Sequence, residues 1–105
     1  MKEVSPEELK QLIDSNADIQ LVDVREPSEF ESGNIGGILI PLGTIPQNVD
    51  KISKDKQVIF ICRSGKRSAN AISFLESNYG FDRLYNLDGG VLNWRNEIDP
   101  DLDVI

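Results

Sequence analysis

Four consecutive apolar residues, Val58 to Ile61, constrain the fold of this chain more than any other feature. An apolar run without polar interruption predicts a strand covered on both faces, as in the parallel sheets of α/β proteins. Shorter strand signals alternate with helical signals on either side of it. This alternation favours an α/β fold with a mainly parallel central sheet of about four to five strands and helices on both faces. The length suits one domain spanning residues 1–105.

The first helix has the best marked start. Ser5 is its predicted N-cap, Pro6 its first residue, and Glu8 completes a capping box. The other predicted helices cover residues 27–31, 46–52, 68–79 and 91–96. The predicted strands cover residues 19–24, 37–40, 58–61 and 84–87, the second of them short and buried. Binding sites in parallel sheets lie beyond the carboxyl ends of the strands, where Cys62 follows the third strand.

The charge of the chain excludes some classes of partner. There are 18 acidic and 11 basic residues, which give a net charge of −7 and argue against nucleic acid and anionic membrane surfaces. No segment reaches the ~18 apolar residues of a membrane span, and the N-terminus lacks the apolar run of a signal peptide. We therefore expect a cytoplasmic location, unless the chain was detached from a longer one. The lone Cys62 fits a reducing compartment.

The absence of histidine narrows the possible chemistry further. It excludes Ser-His-Asp and Cys-His catalysis and histidine-containing zinc sites. A single cysteine also excludes a four-cysteine zinc site. We predict neither a metal nor a cofactor, and any activation of Cys62 must come from groups other than imidazole.

The segment from Cys62 to Ser68 combines a strand end, a short turn and a helix start. Gly65 permits the backbone angles of a tight turn, whose inward-pointing amides would form an anion-binding nest. The N-terminus of the following helix adds partial positive charge. Full positive charges come from three bases: Arg63, Lys66 and Arg67. All these groups favour a thiolate over a thiol at Cys62.

A second interpretation of this segment is structural. Lone buried cysteines are commonly inert core residues, and nearby bases can be solvated surface groups. However, the helix dipole opposes cations at a helix N-terminus, so three bases there need a reason. An anionic ligand or a thiolate supplies one, which favours the functional interpretation.

The same segment resembles the active-site loop of the rhodanese (thiosulfate sulfurtransferase) family. The matching residues are Cys62, Arg63, Ser64, Gly65, Lys66, Arg67 and Ser68. Residues 21–26, followed by residues 29–33, are similar to a first family signature, and residues 87–90 with Trp94 are similar to a C-terminal one. The resemblance covers nearly the whole chain, and three signatures in order are specific where any one alone would be weak.

The resemblance implies a sulfur-transfer cycle. Cys62 would take the outer sulfur of thiosulfate or another sulfane donor, become a persulfide, and pass the sulfur to cyanide, a thiol or a protein. The amides of residues 63–67 would hold the persulfide, while Arg63, Lys66 or Arg67 would orient an anionic donor. Arg67 matches the loop-closing arginine of many family members. The implied partners are a small anionic sulfur donor and, as an alternative, a sulfur-donor or sulfur-acceptor protein.

Related cysteine-dependent phosphatases are the main enzymatic rival, and they place five residues between cysteine and arginine. Here Cys62 and Arg67 enclose four residues, a smaller ring that fits one sulfur atom better than a phosphoryl group. We therefore rank phosphatase or arsenate reductase activity below sulfur transfer. Two non-transferase hypotheses remain: a binding or regulatory module without turnover, and a redox sensor based on Cys62.

The remaining signature residues are expected to be mainly structural. Asp23 and Arg25 follow a strand end and are expected to support the loop as an ion pair instead of taking part in chemistry. Gly89 and Gly90 should allow a tight turn or a close backbone approach, and Trp94 should anchor the core. Many family members have histidine where this chain has Asn34. We expect that difference to change loop bracing, not activity.

Overall fold

Five strands form one parallel sheet in the computed structural model, which describes residues 1–105. The strands are β1 (Glu3–Val4), β2 (Ile19–Asp23), β3 (Ile38–Leu39), β4 (Gln57–Ile61) and β5 (Leu84–Leu87). The α-helices are α1 (Pro6–Asp14), α2 (Pro27–Ser32), α3 (Lys66–Tyr79) and α4 (Gly90–Glu97). The sheet order is β1-β5-β4-β2-β3, so β4 lies at the centre. This arrangement confirms the predicted α/β fold.

The central strand β4 has a core on each of its faces. Val58 and Phe60 belong to one core, and Ile59 and Ile61 belong to the other, because alternate residues of a strand point to opposite faces. All four side chains are fully buried. Helix α3 covers the first face, whereas α1 and α4 cover the second. The apolar run therefore predicts this strand correctly.

The N-terminal segment forms the predicted capping box and, in addition, an edge strand. The Ser5 hydroxyl accepts a hydrogen bond from the Glu8 amide at 3.0 Å, and the Glu8 carboxylate accepts one from the Ser5 amide at 2.9 Å. Strand β1 directly precedes this cap and pairs with β5. The sequence did not predict β1, since two residues are too few to show the alternation of a strand.

Two predicted elements differ from the structure. The strand expected to be buried at residues 37–40 is only Ile38–Leu39, and it lies at the sheet edge, where Ile38 is 38% exposed. The helix expected at residues 46–52 is instead two 3-10 helices, Leu42–Gln47 and Val49–Lys51. Pro46 has no amide proton for a helical hydrogen bond, which disfavours a regular α-helix there. No helix in the structure has both the length and the apolar character needed to cross a membrane.

A buried ion pair connects the carboxyl end of β2 to α2. The guanidinium of Arg25 donates to the Asp23 carboxylate at 2.8 Å, and both side chains are almost fully buried. The same guanidinium donates to the backbone oxygens of Gly33 at 2.9 Å and Glu29 at 3.4 Å. Arg25 therefore satisfies the Asp23 carboxylate and holds the middle and the C-terminal end of α2.

Replacing Arg25 by leucine should destabilise the protein strongly, because it leaves the Asp23 charge buried without a partner. We expect a loss of about 3–5 kcal/mol in the free energy of unfolding, measured by urea denaturation. The control Arg83→Leu removes an exposed arginine and should change stability by less than about 0.5 kcal/mol. Equal effects of the two substitutions would contradict this role of Arg25.

Candidate active site

Cys62 follows the central strand directly, and its side chain is 1% exposed. Its sulfur accepts hydrogen bonds from the amide of Gly65, with N···S 3.0 Å, and from the amide of Ser68, with N···S 3.4 Å. The Ser68 hydroxyl oxygen lies 3.3 Å from the same sulfur. Among the amides of residues 63–67 that were expected to face the sulfur, Gly65 provides the hydrogen bond, and Ser68 provides a second from outside that range.

The turn between β4 and α3 depends on the backbone of Gly65. Gly65 has φ +100° and is the N-cap of α3, a conformation that residues with a Cβ adopt rarely. The helix consequently begins at Lys66, two residues before the predicted start. Ser68 lies in the first turn, so a free amide of the helix N-terminus points at the Cys62 sulfur. This arrangement stabilises negative charge on the sulfur.

The three bases of the loop occupy different environments. Lys66 is exposed, and no carboxylate lies within salt-bridge distance of it. Arg63 is also exposed, and its Nε donates to the backbone oxygen of Ile105 at 3.0 Å. Arg67 instead forms a bidentate ion pair with Glu29, with N···O distances of 2.7 and 2.8 Å. Arg63 and Lys66 are therefore the bases whose charge faces solvent beside the loop.

Glu29 is a component of the site that the sequence did not predict. Its hydrogen bonds with Arg67 lower the pKa of the Glu29 carboxyl to about 2, with a smaller contribution from the Glu26 amide and a partial opposition from burial. The same hydrogen bonds with Glu29 are the main cause that raises the pKa of Arg67 above its ordinary value. Since Arg67 lies in the loop and Glu29 in α2, the pair joins the loop to the segment that Arg25 fixes.

Two further contacts brace the loop from the side of β5 and α4. The side chain of Asn86, on β5, contacts both Gly65 and Ser68. At Gly90, φ is +62° and a Cβ would collide with the carbonyl oxygens of Cys62 and Arg63. The close approach expected at Gly90 is present: the Val91 amide donates to the Cys62 oxygen at 2.9 Å. Trp94 is buried in the core.

The other residues singled out from the sequence lie around the loop, not at the sulfur. Asp23 pairs in register with Ile61, one residue before Cys62, and its carboxylate is engaged by Arg25. Asn34 supplies a local hydrogen bond from its side chain to the Phe30 oxygen at 3.0 Å. The structure has four surface cavities, and none is lined by a residue of the 62–68 loop. The Cys62 side chain itself lies beneath the loop and is 1% exposed, whereas Arg63, Ser64 and Lys66 form the exposed rim above it.

The fold and the site together define a class of parallel α/β domain whose central strand ends at a cysteine that accepts hydrogen bonds from backbone amides. The chain matches the family model "Rhodanese-like domain" over residues 5–97 and belongs to that family. YtwF of Bacillus subtilis is 39% identical over 101 residues, covering 95% of this chain and 96% of its own length. A sulfurtransferase of Allochromatium vinosum is 38% identical over 95 residues, covering 90% of this chain and 88% of its own.

The same family is represented among solved structures that resemble this one. The crystal structure of a rhodanese-like domain protein from Staphylococcus aureus superposes with a TM-score of 0.83 at 34% identity. It covers 100% of this chain and 99% of its own. The fold and family expected from the three sequence signatures are therefore confirmed.

Replacing Glu29 by glutamine should remove a pH-dependent part of the stability. The folded state holds the pKa of Glu29 near 2, below its usual 4.5, so the unfolded state binds more protons between these values and stability rises with pH. We expect Glu29→Gln to cost about 1 kcal/mol at neutral pH, since partial exposure of Arg67 screens the pair. The difference from the unmodified protein should shrink as the pH falls from 4.5 towards 2.

The matched control for this prediction is Glu31→Gln, which alters an exposed glutamate of the same helix. Urea denaturation at several pH values should give the control no pH-dependent difference from the unmodified protein. A constant difference for Glu29→Gln across the acid range would contradict the assignment of the ion pair.

Proposed function

We propose that the chain is a sulfurtransferase in which Cys62 carries the transferred sulfur as a persulfide. The observation that supports this most is the pair of amides, from Gly65 and Ser68, that donate to the Cys62 sulfur. Hydrogen bonds of this kind favour an anionic sulfur, which is the nucleophilic form. The name of the Allochromatium vinosum relative, "Sulfurtransferase", supports the same activity.

The first half of the proposed cycle loads the sulfur. The Cys62 thiolate attacks the outer sulfur of thiosulfate, a sulfur–sulfur bond forms between them, and the bond within thiosulfate breaks. Sulfite leaves with the electron pair of that bond, and Cys62 becomes a persulfide anion. The total charge is unchanged, and no external oxidant or reductant is needed.

The second half of the cycle unloads the sulfur. A nucleophilic acceptor such as cyanide attacks the outer sulfur of the persulfide. The new bond gives thiocyanate, the sulfur–sulfur bond breaks, and its electron pair returns to Cys62 as the thiolate. The enzyme therefore alternates between two anionic forms, and both need the same hydrogen-bond donors.

The bases of the loop take different parts in this proposal. Arg63 and Lys66 are exposed and attract an anionic donor towards the end of β4. Arg67 is paired with Glu29 and holds the loop to α2. The Asp23–Arg25 ion pair supports α2 in turn, because Arg25 also donates to the backbone oxygens of Glu29 and Gly33. Ser64 is an exposed residue at the rim of the turn.

The exposed rim of the loop bears on the choice of donor. A small donor that meets only the exposed Arg63, Ser64 and Lys66 has little contact area there, so its charge must provide much of the recognition. A persulfide or thiol carried by a protein can also meet this exposed rim, and we propose both kinds of sulfur donor and acceptor. The chemistry requires a free thiol, which fits a reducing compartment such as the cytoplasm.

The proposal predicts that thiosulfate adds one sulfur atom to the protein. Intact mass should rise by one sulfur after incubation with thiosulfate and desalting, and it should return to the original value after cyanide is added. The variant Cys62→Ser should show no gain. An unchanged mass with both thiosulfate and polysulfide, in a protein whose thiol is free, would refute sulfur transfer and favour a binding module.

A further inference from the structure

Three buried polar side chains form a connected group beneath the loop. Cys62 is 1% exposed, Ser68 is fully buried, and Asn86 is 4% exposed. Asn86 lies on β5, 18 residues from Ser68, and hydrogen bonds to two different residues of the loop. Asn86 is therefore the side chain through which the neighbouring strand reaches the loop.

The orientation of the Asn86 carboxamide follows from its partners. The Gly65 carbonyl oxygen can only accept a hydrogen bond, so the atom that faces it at 2.9 Å must be the Asn86 amide nitrogen. The Asn86 oxygen then faces the Ser68 hydroxyl at 2.5 Å. Because an amide oxygen cannot donate, Ser68 must be the donor. Both ends of the carboxamide are thus engaged by the loop.

The residues that Asn86 holds are the same ones that bind the sulfur. The Gly65 amide lies 3.0 Å from the Cys62 sulfur, and the Ser68 amide lies 3.4 Å from it. The Asn86 amide group fixes the carbonyl of the first residue and the hydroxyl of the second. A change at Asn86 therefore acts on both of these donors at once.

We propose that Asn86 is a positioning residue for Cys62: its carboxamide holds Gly65 and Ser68 so that their amides point at the sulfur. The inference rests on the proposed function in taking Cys62 as the reacting atom. Asn86 itself does not touch the sulfur, and it acts only through the two residues that do. A merely structural asparagine would affect stability and leave the reactivity of the folded protein unchanged.

The variant Asn86→Asp gives a test with an internal rescue. A protonated carboxyl has one donor and one acceptor, as the carboxamide does in its two contacts, whereas an ionised carboxyl has only acceptors. The ionised carboxylate would repel the Gly65 carbonyl oxygen, and the hydrogen bond that holds this carbonyl would be lost. Burial raises the pKa of a carboxyl, so the introduced group should change form within an accessible pH range.

The readout is the rate at which iodoacetamide, a small neutral reagent, alkylates Cys62 across a pH series. The ratio of the Asn86→Asp rate to the unmodified rate should be near one at acid pH and fall about tenfold as the introduced carboxyl ionises. Asn86→Leu, which has neither donor nor acceptor, should be about tenfold slower throughout the acid and neutral part of the series, where the thiolate fraction limits the rate.

Other titratable groups around this position cancel in the ratio, because both proteins contain them. They belong to the loop and α3, to β2 and α2, and to the elements next to β5: Arg63, Lys66, Arg67, Asp23, Arg25, Glu29, Lys2, Glu3 and Asp88. Cys62 is not among them, because its reactivity is the quantity that the ratio reports. The control Asn70→Asp adds the same charge at an exposed position of α3. The ratio of the Asn70→Asp alkylation rate to the unmodified rate should stay near one across the whole pH series.

The proposal would be overturned if both Asn86 variants were alkylated at the same rate as the unmodified protein at every pH. It would also be overturned if the ratio of the Asn86→Asp rate to the unmodified rate did not depend on pH. Thermal unfolding of each variant shows whether it is folded under the assay conditions. If Asn86→Leu does not fold, Asn86→Ala, which also removes both contacts without adding a charge, takes its place, because the ionised carboxyl of Asn86→Asp also opposes a thiolate through its charge. Alkylation needs no sulfur donor, so a failure of sulfur loading in the unmodified protein would refute the proposed function without affecting this test.

Discussion

The hydrogen bond from the Gly65 amide to the Cys62 sulfur, 3.0 Å long, is the contact on which the rest of the site depends. It requires a chain that leaves β4, turns within a few residues and starts α3 with its free amides directed back at the strand end. The positive φ of Gly65 makes this turn possible. In the proposed function this turn does the work that imidazole does in other cysteine enzymes, because backbone amides and a helix N-terminus favour an anionic sulfur.

A turn of this kind must be held from several sides, and the structure shows three braces. Arg67 binds Glu29 of α2, which the Asp23–Arg25 pair connects to β2. Asn86 contacts the loop from β5, and the start of α4 accepts no side chain at Gly90 because the loop carbonyls lie against it. The three braces come from three different elements, α2, β5 and α4, so the position of the Cys62 sulfur depends on contacts that only the folded domain provides.

Much of this architecture could be predicted because it is encoded locally. The apolar run of β4, the capping box at Ser5 and the glycine at position 65 each act over a few residues, and their meaning can be deduced from the sequence. The braces could not be predicted in this way. Glu29 lies 38 residues from Arg67, and Asn86 lies 18 from Ser68, so only the folded chain brings them together. A polar residue inside the predicted strand at 84–87 was the one available signal for Asn86.

The most direct test of the account is a crystal structure of the protein after loading with thiosulfate. We predict that the added sulfur atom lies on Cys62, inside the loop, and accepts hydrogen bonds from backbone amides of the turn. Clear density for a persulfide that points away from the loop amides would contradict the account. So would a fully occupied Cys62 without an added sulfur in crystals of protein whose mass shows the gain.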